Sequence, residues 1–259
     1  MKHMIKKTML TGALSCFLLG TALADDATNQ PAKPYWQDIQ VVAVNKEAPR
    51  SSFMSYGDRA TALSSRYEKS PFYSLLNGTW KFYFVDSYKD LPANITDPSV
   101  STSDWDDITV PGNWEVQGHG TAIYTNHGYE FKPRNPQPPL LPEANPVGVY
   151  RRDIYLHIAG AKSGLYVYVN GKEVGYSEDS KNPAEFLINK YLQPGKNVLT
   201  LKIFRWSTGS YLECQDFWRL SGIERDVYLW SQPKIAVNDY RIVSTLDDTY
   251  KNGIFSLAI

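Results

Sequence analysis

Apolar residues along this chain recur at every second position far more often than at every third or fourth. Trp80, Phe82 and Phe84 alternate with Thr79, Lys81 and Tyr83 behind the turn dipeptide Asn77-Gly78, which predicts a strand with one large apolar face. Gly148 to Leu156 predicts a second strand. Leu165-Tyr166-Val167-Tyr168-Val169 and Lys172 to Tyr176 flank Asn170-Gly171, the dipeptide that supplies the two positive φ values of a type I′ hairpin. Val198 to Phe204 and Asp226 to Trp230 predict two more strands. Helical periodicity is nearly absent between them, so the pattern argues for an all-β antiparallel sandwich over a parallel α/β sheet.

Two stretches interrupt this pattern. Pro133, Pro136, Pro138, Pro139, Pro142 and Pro146 crowd the segment between Tyr129 and Val147. Each lacks a ladder donor, which excludes an interior strand. A polyproline ligand for a partner module is one reading, and a stiff loop across one end of the sandwich suits its place between strands better. Ser231-Gln232-Pro233 breaks the pattern again; Val237 to Ser244 restarts it, Asn252-Gly253 offers a second hairpin turn, and Ile254 to Ile259 reads as a strand. A new strand set therefore opens after residue 232, and the expectation is that its remainder is missing.

The first residues form a separate unit. Lys2, Lys6 and Lys7 make a positive n-region, Thr8 to Thr21 is mostly apolar, and Ala22-Leu23-Ala24 has the small-x-small form of a signal-peptidase site. Residues 1–24 are thus expected to be a secretory signal cleaved after Ala24, placing the mature chain outside the cytoplasm, in the periplasm. The apolar run is too short for a membrane span. Lipidation at Cys16 is the weaker alternative, because Phe17-Leu18-Leu19 continues the apolar run where a lipoprotein turns polar. Of the two cysteines only Cys214 stays in the mature chain, so no internal disulfide can form.

Charge narrows the function classes. The chain has 27 basic and 27 acidic residues, and loss of three signal lysines takes the mature net charge from zero to −3. Without a basic patch, binding to nucleic acid or an anionic membrane is not expected. The 7 Trp, 18 Tyr and 10 Phe suit short strands and a rigid aromatic core.

Catalytic motifs are mostly absent: there is no GxGxxG, GxxxxGK[ST], HExxH, CxxC pair or GxSxG. His119, His127 and His157 are not at ligand spacing and read as loop or surface residues. Cys214 has no adjacent base and reads as an inert thiol. Carboxylates are the plentiful reactive groups: Glu178, Asp179, Glu185, Glu213, Asp216, Glu224 and Asp226. A retaining glycosidase needs two of them about 5 Å apart, and no pair is defined by the sequence.

It is around these carboxylates that a family resemblance appears. Val110-Pro111-Gly112-Asn113-Trp114-Glu115, Ile123-Tyr124-Thr125-Asn126, and Asn145-Pro146-Val147-Gly148-Val149-Tyr150-Arg151-Arg152 occur in order. They are followed by Val174-Gly175-Tyr176-Ser177-Glu178-Asp179-Ser180, Pro183-Ala184-Glu185-Phe186, Arg205-Trp206-Ser207, Gly209-Ser210-Tyr211-Leu212-Glu213 and Gln215 to Ile223. From about Trp36 onward the chain resembles the amino-terminal part of glycoside hydrolase family 2, in particular its long bacterial β-galactosidases.

That resemblance implies a jelly-roll, galactose-binding-like β-sandwich over 56–232, preceded by an extended arm at 25–55. It implies the start of an immunoglobulin-like domain at 233–259 and a missing C-terminal remainder with a TIM barrel. The glutamate acid/base and nucleophile and the magnesium ligands lie in that barrel, so no catalytic residue is expected here. Two residues match substrate contacts: Asn126, which would touch the galactosyl unit, and Asp179, which would meet a galactosyl hydroxyl and ligate sodium. The alternative for Asp179 is a turn cap through its own backbone. Trp114, Trp206, Trp218 and Tyr211 could stack on sugars, but core and domain contacts suit them better. Arg205, Arg219 and Asp216 are expected to form a buried ion network against the barrel. Thr208 and Cys214 stand where the family usually has Asp, which would alter an interdomain hydrogen bond. Other readings are a free-standing carbohydrate-binding module or a β-glucuronidase- or β-mannosidase-type enzyme. The natural glycan and any homo-oligomeric state are not legible.

Overall fold

The structure is a computed structural model that describes residues 33–259 except 132–134, 154–160, 214 and 234. The expected signal peptide with Cys16, and also Pro133, His157 and Cys214, lie outside the described residues.

The chain folds as an all-β sandwich. Its main sheet has seven strands in the order Ala43–Val44, Lys172–Ser177, Gly164–Val169, Val198–Phe204, Val147–Asp153, Gly78–Val85, Asp106–Val110. Every neighbouring pair is antiparallel. Asn170 and Gly171 take φ values of 53° and 76°, as the type I′ hairpin requires. The loop is also bound from outside, because Asn170 Nδ2 donates to Tyr191 O (3.0 Å) and Asn197 Oδ1 (2.9 Å) while its Oδ1 accepts from Val198 N (2.9 Å).

The alternation expected to make one apolar face makes two. Trp80, Phe82, Tyr150, Leu165, Val167, Leu199 and Leu201 enter one buried cluster. Val147, Val149, Tyr166, Tyr168 and Phe204 enter a second on the opposite face. A bulge between Glu173 and Gly175 shifts the register of the hairpin's second strand. Val174 and Tyr176 consequently reach opposite clusters although they are two residues apart. Short strands line the first cluster: Ala161 and Ile223 come from a three-stranded sheet of Gly112–Asn113, Gly222–Ile223 and Ala161–Lys162. The N-terminal arm covers the second. Trp36, 1% exposed, stacks on Phe204 at 5.0 Å, and Ala43–Val44 pairs with the sheet edge.

Gly148 marks a close approach of the layers. A Cβ there would lie 2.5 Å from the Trp114 ring and 2.7 Å from Phe82, so only glycine leaves room for both rings against the strand.

The C-terminal pattern is corrected in detail. The strand begins at Arg241, not Val237, and pairs with Gly253–Ala258. The connection is a loop through Asp247–Asn252 instead of a two-residue Asn252-Gly253 turn. Asp247 closes it by accepting from Thr249 N, Thr249 Oγ1, Lys251 N and Asn252 Nδ2. One aspartate satisfying four donors outcompetes the shorter turn. All residues of both strands are exposed. Among the described residues, no helix is long and apolar enough to cross a membrane.

Candidate functional site

The strand Lys172–Ser177 determines where Asp179 sits. Glu178, 4% exposed, is riveted beneath the surface: its Oε1 accepts from Thr208 Oγ1 (2.7 Å) and its Oε2 from Tyr176 OH (2.9 Å). Burial pushes the Glu178 carboxyl above the usual carboxylate range, and those hydroxyl donors oppose the shift. Thr208 Oγ1 thus has a partner within this fold. A hydroxyl donates to Glu178, whereas a second carboxylate would repel it.

Immediately after this rivet the chain surfaces. The Asp179 side chain is 52% exposed, with Lys46 Nζ 3.3 Å from Oδ2 and Asn182 Nδ2 donating to Oδ1 at 2.8 Å. These side-chain partners replace the turn-cap alternative. Ser180 N then donates to Glu213 Oε1 at 3.0 Å. Burial raises the Glu213 carboxyl, the Ser180 bond and Lys162 pull it down, and the charge of Asp179 adds to the rise.

Glu178, Asp179 and Glu213 lie along a cleft of about 830 Å³. Its apolar walls come from the arm, at Ile39 and Val42, and from Tyr129, Pro139 and Tyr211. A carboxylate acceptor such as Asp179 beside apolar walls suits a ligand that carries hydroxyls on an otherwise hydrocarbon ring.

Asn126 is exposed on the turn after the strand Ile123–Thr125 and is not among the residues lining this cleft. Its Oδ1 is 2.6 Å from His127 Nδ1, and Thr125 Oγ1 donates to His127 O at 2.5 Å. Three residues on, Tyr129 packs edge-on against Tyr211 at 4.8 Å and does line the cleft. The structure thus gives both sequence-predicted contacts exposed positions but brings only Asp179 to the cleft.

A buried charge cluster anchors the Asn126 loop. Glu130 is 8% exposed, with Lys162 Nζ 3.3 Å from Oε1 and Arg205 Nε 3.7 Å from Oε2. Arg205 also faces Glu115 Oε1 at 3.6 Å and donates to Thr121 O and Arg219 O. Arg219 donates to the Glu213 and Gln215 carbonyls and lies 4.4 Å over Phe217. The expected network of Arg205, Arg219 and Asp216 is corrected here: Glu115 and Glu130 supply the carboxylates. Asp216 is exposed and accepts from Tyr124 OH at 2.8 Å.

Aromatic residues divide in two. Trp114 is fully buried and Trp206 is 8% exposed against Phe131, as core roles require. Trp218 departs from that expectation, being 56% exposed beside Tyr124. His119 packs on Phe82 and Phe84 in a loop, and His127 is exposed.

Sequence reasoning missed Lys46, Glu130 and Lys162. Lys46 is 133 residues from Asp179, and no local signal marks a lysine in an arm as a partner.

Comparison with known proteins places this geometry. The model of the sugar binding domain of glycosyl hydrolases family 2 matches residues 73–233. The β-galactosidase of Priestia megaterium is 38% identical over 239 residues, covering 87% of this chain and 23% of that protein. That of Photobacterium profundum is 39% identical, covering 86% and 22%. The chain thus spans under a quarter of the length of these curated relatives. Among solved structures, a β-glucuronidase from an uncultured Clostridium sp. is similar with a TM-score of 0.52 at 21% identity, over 71% of this chain and 33% of that one. A Ruminococcus gnavus β-glucuronidase in complex with D-glucaro-d-lactam gives 0.53 at 17%, over 73% and 34%. At those identities the likeness is one of fold.

Proposed function

Because the chain belongs to glycoside hydrolase family 2, we propose that it is the sugar-binding amino-terminal portion of a β-galactosidase, which hydrolyses terminal non-reducing β-D-galactose residues of β-galactosides. The observation that carries the substrate class is the alignment of proteins named β-galactosidase, at 38% and 39% identity, with most of this chain. A retaining hydrolysis uses one carboxylic acid to protonate the leaving oxygen and one carboxylate as nucleophile. In this reading both belong to a barrel outside this sequence, and the present residues bind and orient. Asp179 accepts hydrogen bonds from galactosyl hydroxyls at the cleft mouth, and the Asn126 amide adds donors and an acceptor from its neighbouring loop.

Sodium fits the residues in part. Among the described residues no group of three or more His, Cys, Asp or Glu is placed to hold a metal. Asp179 offers one hard oxygen donor set, shared with Lys46 and Asn182. It would thus be one ligand of a site completed by the missing barrel, where sodium would supply a fixed positive charge for sugar oxygens. Magnesium ligands are assigned to the barrel. A signal at 1–24 would export the protein to the periplasm. The fully exposed hairpin Arg241–Leu246 and Gly253–Ala258 supports a separate immunoglobulin-like layer from residue 233, joined to the jelly-roll sandwich at 56–232.

The test is Asp179→Asn in a protein extended through its barrel, assayed on a chromogenic β-galactoside with and without sodium. Loss of a charged hydrogen bond of about 1.5–3 kcal/mol predicts a roughly 10- to 100-fold fall in kcat/KM and loss of sodium dependence. Unchanged activity and sodium response would overturn the assignment.

A further inference from the structure

The strands Ile123–Thr125 and Phe217–Arg219 form a two-stranded antiparallel ribbon in which Tyr124 and Trp218 are direct partners. Their ring centroids are 5.4 Å apart with planes tilted by 56°, and the residues are 52% and 56% exposed. Tyr124 OH donates to Asp216 Oδ1 at 2.8 Å, which holds the phenol ring in place beside the indole. Among the described residues most other large rings are buried or half-buried, and outside the C-terminal hairpin with its Tyr250 and Phe255 this pair stands out at the surface.

We propose that the Tyr124–Trp218 pair is a stacking platform for the pyranose ring of a bound glycan, next to the position at which Asn126 contacts its terminal unit. The proposal rests on the sugar-binding reading above and extends it by one sugar. Pyranose faces are hydrocarbon and their rims are hydroxylated, so they match aromatic rings edged with acceptors. The Asp216 carboxylate has about four lone-pair sites, and Tyr124 uses one. Asn126 is two residues along from Tyr124, roughly 7 Å at the rise of a strand, so one glycan can span both. A polypeptide contact would favour a patch core depleted of charge, whereas here a carboxylate sits at the rings.

The test is an NMR titration of the 259-residue chain with lactose and with methyl β-D-galactopyranoside. The Trp218 indole N–H signal is identified by its loss in Trp218→Phe. Lactose is expected to shift that signal saturably, and more strongly than the monosaccharide does. Trp218→Ala should weaken lactose binding about fivefold or more, while Trp218→Phe retains most of it. Because the side chain is exposed, both variants should melt like the parent; a Trp218→Ala chain that fails to fold shifts the decision to Tyr124→Ala, judged by the same titration. A Trp218 signal unmoved at the highest soluble lactose concentration overturns the platform. So does wild-type self-association that Trp218→Ala abolishes without any sugar effect, which would mark a polypeptide contact. Either result leaves the Asp179→Asn assay to judge the galactosidase reading separately.

Discussion

Replacing Lys162 with Met tests whether the charge cluster under the Asn126 loop is held by balance. Lys162 is 2% exposed and Glu130 8%, so neither charge can turn to water. In the parent, Glu130 is held between Lys162 and Arg205, Arg205 also faces Glu115, and the charge of Lys162 also acts on Glu213. Lys162→Met leaves two carboxylates sharing one guanidinium, with the nearest contact to Glu130 at 3.7 Å. Stranding one partner of a buried pair costs about 3–5 kcal/mol. At roughly 2–4 °C per kcal/mol for a domain of this size, the melting temperature should fall by about 6–20 °C. Adding Glu130→Gln removes the stranded carboxylate, and the double variant should recover to within about 1–2 kcal/mol of the parent, since removing both charges of the pair spares their desolvation. Tryptophan-fluorescence urea titrations on all variants provide the cycle. A single-variant cost below about 1 kcal/mol, or a double variant as unstable as the two singles combined, would refute the argument.

Asn170→Ala should lower stability by about 2–4 kcal/mol in the same titrations. It removes three hydrogen bonds and puts alanine at φ 53°, while Asn170→Gly should lose only the hydrogen bonds. Four donors hold the Asp247 carboxyl well below the usual carboxylate range, so its stabilising effect is present above the unfolded pKa and lost as pH falls through the folded one. Amide protection relative to the intrinsic exchange rate in Arg241–Leu246 and Gly253–Ala258 should therefore fall in strong acid, with Asp247→Asn showing the low protection already at neutral pH; equal protection in both proteins would contradict the loop account.

Strands were legible wherever the pattern was local. Asn170-Gly171 and the alternation in Val198 to Phe204 specify a turn and a strand within a few residues, and both stand as read. The Asp247 loop was misread because an Asn-Gly dipeptide signals a turn, yet a nearby aspartate with four donors defined a longer one. The site was legible only in part. Asp179 follows a predictable strand, but its partner Lys46 arrives from an arm 133 residues away. Trp218 carried no sign of its exposure, since a strand tryptophan looks alike whether its sheet is covered or open.

From the sequence alone came the all-β class, the hairpin, the balance of charge and the family motifs, because period, turn chemistry, charge and motif order are all written in neighbouring residues. Tertiary structure decided which faces are covered, which carboxylates are buried, and which of the two predicted sugar contacts reaches the cleft. Those depend on chain segments that meet only after folding. The surroundings that bury Glu178, expose Asp179 and balance Glu130 are contributed by residues far from them in sequence.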